Sequence, residues 1–155
     1  MNITADYIRG LVDGEGCFSF CNVPTKGKTG NKLKLPTFII HMHERDKELI
    51  EKVRDYLGVR DKVYVLKAYS LDGFKRGKTA RLMIRDFGEI RDIVIPFFYN
   101  KLIGYKGKQF VIWLEKIGQD PDIHPSYKVL YSLYKRGYFE NKVPRIAMRT
   151  IITTD

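Results

Sequence analysis

The chain has 155 residues, of which 44% are hydrophobic and 13% aromatic. That is enough apolar material for one domain with a sizeable core, and it excludes a disordered tail. With 28 Lys and Arg against 18 Asp and Glu the formal net charge is +10, the electrostatic footprint of a protein that meets a polyanion, nucleic acid first among them. No apolar run reaches membrane-spanning length, and no basic segment followed by an apolar stretch opens the sequence. Neither a membrane partner nor secretion is indicated, no small-molecule substrate is suggested, and an intracellular setting is expected, the cytoplasm of a prokaryote or an organelle matrix.

In chain order, Thr4 or Asp6 caps a short helix in which Tyr7, Ile8, Leu11 and Val12 recur at helical spacing, with Gly14 and Gly16 read as its stop. Within it, "YIRGLVDGEG" sets Gly10 and Gly14 four residues apart, although glycine costs about 1 kcal/mol against alanine inside a helix. "CFSFCNV" alternates as a strand does. Its two cysteines, Cys17 and Cys21, are too far apart in extended chain for a disulfide and are expected as free thiols. The basic loop "PTKGKTGNK" leads into "LKLPTFIIHM", so residues 17–43 read as a long hairpin. "RDKELIEKVRDYLG" is an amphipathic helix with Leu49, Ile50, Val53 and Leu57 on one face and Gly58 as its stop. "KVYVLKAYS" and "KTARLMIR" are two further strands joined by the turn "LDGFKRG". Helix resumes from Asp86, is broken at Pro96, and continues through "YKGKQFVIWLEKIG" and "PSYKVLYSLYKRG".

The order α-β-β-α-β-β-α predicts an α+β domain: a four-stranded antiparallel sheet with helices on one face and the other face open. On the fourth strand Ala80, Leu82 and Ile84 point one way while Thr79, Arg81, Met83 and Arg85 point the other, and on the third Lys67 and Tyr69 share a face. Each of these residues alone reads equally well as an ordinary solvated strand face. The loops shift the balance towards phosphate contacts, with Lys26, Lys28 and Lys32 in one and Lys75, Arg76 and Lys78 in the other.

The opening glycines then acquire a reading. Small residues four apart share a helix face and let a second helix approach until the backbones nearly touch. Ile8, Gly10, Leu11 and Gly14 would form that seam. A seam of two such helices brings together their C-terminal ends and the acids Asp13 and Glu15. Carboxylates gain nothing at a helix C-terminus, which is already negative, so the arrangement favours bound cations. Carboxylate and carbonyl oxygens suit a hard divalent ion that activates water and stabilises the leaving oxygen of a phosphodiester. A glycine-rich helix stop with solvated acids is the plainer alternative.

"IRGLVDGEG", Ile8 to Gly16, resembles the signature of the LAGLIDADG homing endonucleases. "FIIHMHERDKELI" is similar to the second strand and helix of that family, and "IPFFYNKLIGYKGKQFV" to its "PF...KxKQ" segment. The resemblance covers roughly residues 5–117 of a single domain spanning 1–155, leaving C-terminal helices and tail over 118–155. It implies a sheet saddle set on double-stranded DNA, motif helices packed at the centre of two copies of the fold, and cleavage of both strands with Mg²⁺. Mn²⁺ is implied as a substitute, with Ca²⁺ supporting binding without cleavage. By position, Glu15 matches the metal-binding acid, the Gly14 carbonyl a backbone ligand, Lys106 a basic residue near the scissile phosphate and Gln109 a nearby polar group. Ser19, Thr37, His41 and Lys108 join Lys67, Tyr69, Arg81 and the loop cations as DNA-facing candidates.

Two positions depart from the family pattern. Arg9 stands where a small residue is usual, and must point away from the seam if the helices are to meet. Met42 falls where many relatives carry a water-orienting glutamine, leaving that role to His41, His43 or ordered water. One motif copy implies a homodimer with two-fold symmetry on a near-palindromic site, each subunit covering about one helical turn, ~10 bp. The fold is also used by RNA maturases and by binding proteins that do not cut, for which Tyr64, Tyr69 and Phe74 would serve as stacking groups. A binding module has no need of Glu15 and Lys106, and both are present.

Overall fold

The computed structural model describes residues 2–24, 32–67 and 77–146. Helix α1 is Ala5–Glu15, followed by strands β1 (Gly16–Pro24) and β2 (Lys32–His43), helix α2 (Lys47–Leu57), strands β3 (Tyr64–Leu66) and β4 (Thr79–Ile84), and helices α3 (Phe87–Glu89), α4 (Ile95–Phe98), α5 (Lys106–Gln119) and α6 (Val129–Lys135). The strands form a four-stranded antiparallel sheet in the order β1-β2-β4-β3, and the fold is α+β. Thr4 caps α1 by accepting the Tyr7 N–H at 3.1 Å. The helix does not stop at Gly14. It continues through Glu15, and Gly16, at φ −82° and ψ 160°, opens the strand instead.

Register fixes which residues reach the core. Phe38 opposes Phe18 on one side and Ile84 on the other, and Ile40 opposes Gly16 and Leu82. Phe38, Ile40, Ala80, Leu82 and Ile84 are fully buried beneath the helices. Against them lie Ile8 and Val12 of α1, Ile50, Val53 and Leu57 of α2, and Phe110, Trp113, Leu114 and Ile117 of α5. α2 ends as its sequence predicts, with Gly58 at φ 74°, a conformation glycine adopts without steric cost. Among the described residues, pairing of the third strand covers Tyr64–Leu66, and the end of the expected strand, residues 68–70, lies outside them.

From Phe87 to Phe98 the chain stays helical, but Ile90–Val94 is a π-helical turn. Pro96 lies just beyond it and has no N–H to give the Asp92 carbonyl. The C-terminal segment supplies the missing donor: the Arg145 N–H reaches that oxygen at 2.8 Å, and its guanidinium lies 3.4 Å from the Asp92 carboxylate. A second attachment lies on the part of β2 that β4 leaves unpaired. There Lys34 gives its N–H to Asp122 and takes the His124 N–H, both at 2.9 Å, while its ammonium meets Asp120 at 2.9 Å. The segment after α5 therefore braces the sheet. α6 closes on α5 where Gly118 lets the Tyr131 ring in: a Cβ on Gly118 would lie 2.2 Å from that ring.

A pair of carboxyls lies where the chain after α2 meets α3. Glu89 is 5% exposed, and its Oε2 accepts the Arg60 N–H at 2.9 Å. Burial first, and then the adjoining Asp61 carboxyl, push its pKa up to about 7. Asp61 Oδ2 is buried without a hydrogen-bond partner among the described residues, so a proton shared by the two acids satisfies both.

Candidate functional site

The site is built from two helix ends of opposite polarity. α1 runs to its C-terminus with no basic residue in its last turn, and this negative end carries Asp13, Glu15 and the unpaired carbonyls of the final turn. Glu15 is exposed and has no ion pair among the described residues. α5 begins with Lys106 and Lys108 and has no acid in its first turn, so two cations sit on an end that is already positive. One end attracts a cation and the other an anion.

Asp13 joins the two. Its carboxylate accepts the N–H groups of Ile103 at 3.2 Å and Gly104 at 3.1 Å. Those residues lead straight into α5 through the Gly107 N–H to Gly104 carbonyl bond at 3.0 Å. Glu15 and Lys106 are thus carried on segments pinned to each other two residues from each. Sequence reading grouped Asp13 with Glu15 as a second acid of the helix end and missed this tether. The signal was available, since an acid at a helix C-terminus needs a donor from elsewhere.

Gly10 and Gly14 are both exposed, and a Cβ on either would meet nothing within 4 Å. With the half-exposed Tyr7 they form a face of α1 that the described residues do not cover. Leu11 flanks that face, partly packed on the core. Ile8 must be removed from it: the side chain is fully buried in its own core and cannot meet a second helix. Arg9 points away. Its Nε–H donates to the Phe97 carbonyl at 3.0 Å, and the guanidinium covers the Phe97 ring at 4.4 Å.

On the opposite side of the sheet, pairing places Tyr64, Arg81 and His41 in one row across β3, β4 and β2, with Cys17, Ile39 and Met83 in the next. Arg81 and His41 line a shallow pocket with Lys67 and Thr79, and Arg81 Nε is buried there without a partner among the described residues. Tyr64 is 58% exposed. Lys32 and Lys78 are exposed at the rim, and Ser19 shares the open face. Thr37 is a correction: it lies on this face by register but is fully buried, its hydroxyl donating to the Leu35 carbonyl at 2.9 Å. Both cysteines are free. Gln109 and Lys108 are exposed on α5 and Lys106 is partly buried. Met42 packs on the core, while His43 shares the open face with His41 by register, its Nδ1 accepting the Arg45 N–H at 3.1 Å. Lys26, Lys28, Tyr69, Phe74, Lys75 and Arg76 lie outside the described residues.

The oxygen donors at the end of α1 fit a hard divalent ion in kind, one carboxylate and one carbonyl. Among the described residues no three His, Cys, Asp or Glu side chains lie close enough to hold a metal, so one copy offers part of a coordination shell. No described helix is long and apolar enough to cross a membrane.

The family model for the LAGLIDADG endonucleases matches residues 8–117. No curated protein matches the sequence. Among solved structures, the chain is similar to the I-CpaMI LAGLIDADG meganuclease bound to uncleaved DNA, at 22% identity and a TM-score of 0.61, covering 91% of this chain and 45% of that one. It is similar to the I-SmaMI LAGLIDADG homing endonuclease bound to cleaved DNA at 23% identity and 0.58, covering 86% and 44%. The homing endonuclease I-TnaI matches at 22% identity and 0.54, with 88% of this chain on 99% of that one. The chain thus spans less than half the length of the first two and nearly all of the third.

Proposed function

The chain belongs to the LAGLIDADG endonuclease family, and from that premise we propose that it is a site-specific endonuclease of double-stranded DNA, of the intron-homing kind. It acts as a homodimer on a long near-palindromic site and depends on a divalent metal, Mg²⁺ foremost. The observation that carries this reading is the pairing of helix ends: Glu15 on the cation-attracting end of α1, tied through Asp13 to the anion-attracting start of α5. Two copies meeting along Gly10 and Gly14 would bring two such ends to one axis, with Glu15 and the Gly14 carbonyl from each holding metal. When bound, the metal supplies an activated water and charge stabilisation at the leaving oxygen.

The remaining roles fall to the chain's own groups. Lys106 and Lys108 hold the scissile phosphate and its neighbour by charge, and Gln109 is a polar group beside them. His41, Arg81, Lys67 and Ser19 face the major groove, where arginine reads guanine through paired hydrogen bonds. Lys32 and Lys78, with Lys26, Lys28, Tyr69, Lys75 and Arg76, meet phosphate and sugar. An intracellular site of action follows from such a substrate.

The test is Glu15→Gln in a cleavage assay with Mg²⁺ on sites recovered from a randomised duplex library. Cleavage is expected to vanish while duplex affinity, measured with Ca²⁺, stays equal or tightens. A fully active variant would remove Glu15 from the metal site. A wild-type chain that binds duplex DNA and never cuts it would leave a binding protein of the same fold.

A further inference from the structure

We infer that the open face of the sheet carries a site for the methyl group of one thymine, formed by Ile39 and Cys17 beside Arg81. The inference rests on the duplex-reading role proposed above and deepens it by naming a base and the residues that select it. By register the row Cys17, Ile39 and Met83 crosses β1, β2 and β4 next to the row that holds His41 and Arg81. It is an apolar strip on a face where Lys67 and Lys78 stand exposed. Ile39 and Met83 are half-buried, yet among the described residues neither packs on the core. Apolar surface on that side contributes only when something apolar covers it.

Ile39, Cys17 and Arg81 line one pocket, and the Arg81 Nε–H is buried there without a partner among the described residues. A buried donor left unpaired is costly, so the pocket is complete only when an acceptor enters it. It therefore requires two groups side by side: an acceptor for Arg81 and an apolar group for Ile39 and Cys17. Of the four base edges in the major groove, thymine alone offers both, with O4 next to the C5 methyl. Guanine has acceptors and no methyl, cytosine presents an amino donor, and adenine sets a donor beside its acceptor. A phosphate would satisfy the donor and leave the isoleucine and the thiol in water. The outer nitrogens of the same guanidinium still reach the guanine proposed for Arg81, so the thymine belongs close by. Successive rows on one face lie about 6.7 Å apart, roughly two base steps of about 3.4 Å.

The test selects duplex sites from a randomised library in the presence of Ca²⁺, then replaces each thymine of the tightest site by deoxyuridine, which lacks only the methyl. Wild-type affinity should fall about three- to fivefold at one thymine in each half-site, the amount expected for one buried methyl. That thymine should lie within about two base pairs of the position that Arg81→Ala relaxes. Ile39→Thr and Cys17→Ser, with unfolding temperature as the check on folding, should bind the thymine and uracil sites equally, while Ile39→Val, which keeps the wall apolar, should still prefer thymine. If wild type tolerates uracil at every thymine, or selects no thymine near the Arg81 position, the methyl site is refuted and duplex binding stands. A thymine preference that survives in both Ile39→Thr and Cys17→Ser places the methyl elsewhere and overturns the inference as well. A chain that selects no duplex at all removes the endonuclease reading and this inference together.

Discussion

Replacing Glu89 by Gln should make the protein more stable in alkaline solution and leave it almost unchanged in acid. In the fold, burial and the neighbouring Asp61 carboxyl raise the Glu89 pKa from the ordinary 4.5 to about 7. A carboxyl raised in this way favours the folded state fully below the unfolded value. That contribution is lost as pH rises from about 4.5 through about 7, and above that the cost stays constant. A shift of this size corresponds to roughly 3 kcal/mol at about 1.4 kcal/mol per unit, an upper figure because Asp61 shares the same proton. Gln cannot ionise. Its carbonyl still accepts the Arg60 N–H, and its amide donates to Asp61 Oδ2, which otherwise lacks a partner. Urea unfolding of both proteins at pH 4.5, 6 and 8 should show a stability difference that grows from near zero to about 2–3 kcal/mol. Parallel curves, or a variant that is less stable at pH 8, would refute the shared-proton account.

Gly118→Ala gains about 1 kcal/mol of helix propensity but drives a Cβ to 2.2 Å from the Tyr131 ring, so α6 must shift. Overpacking of this kind costs about 1–3 kcal/mol, and calorimetry should show a transition temperature lower by a few degrees. Arg81→Ala should relax preference at one base position in each half-site by about 1–3 kcal/mol, read by selection from randomised sites. Duplex affinity should fall with salt at a log-log slope near 0.9 per phosphate neutralised, and fluorescence anisotropy across a salt series would expose a flat dependence.

What could be read from residues alone was whatever a local period encodes. The core side of β4 and the apolar face of α2 followed from alternation and helical spacing, because a side chain's direction in a strand or helix is fixed by its neighbours in sequence. Lys106 and Glu15 were singled out because they sit in ordered motifs. The errors lie where contacts are distant in sequence. Ile8 lies one turn before Val12, and only the packing of α1 on the core, not the spacing itself, turns that side inward rather than towards a second helix, while Thr37 alternates correctly but is enclosed in the fold. Asp13 binds backbone 90 and 91 residues away, and no spacing rule reports that. The Glu89 and Asp61 pair escaped for the same reason: charged residues read as solvated until the fold encloses them.

The parity of the sheet carries a consequence for inheritance. Along β1, β2 and β4 the even-numbered side chains Phe18, Phe38, Ile40, Ala80, Leu82 and Ile84 turn inward, and the odd-numbered Ser19, His41, Thr79, Arg81 and Met83 turn outward. If the open face reads DNA as proposed, a single codon change at an odd position alters what that surface recognises without disturbing the interior. One at an even position opens a cavity and recognises nothing new. A lineage of such chains is therefore free to wander from target to target in single steps while its scaffold stays under constraint, with Thr37, outward by register yet enclosed, as the odd position where the two demands collide.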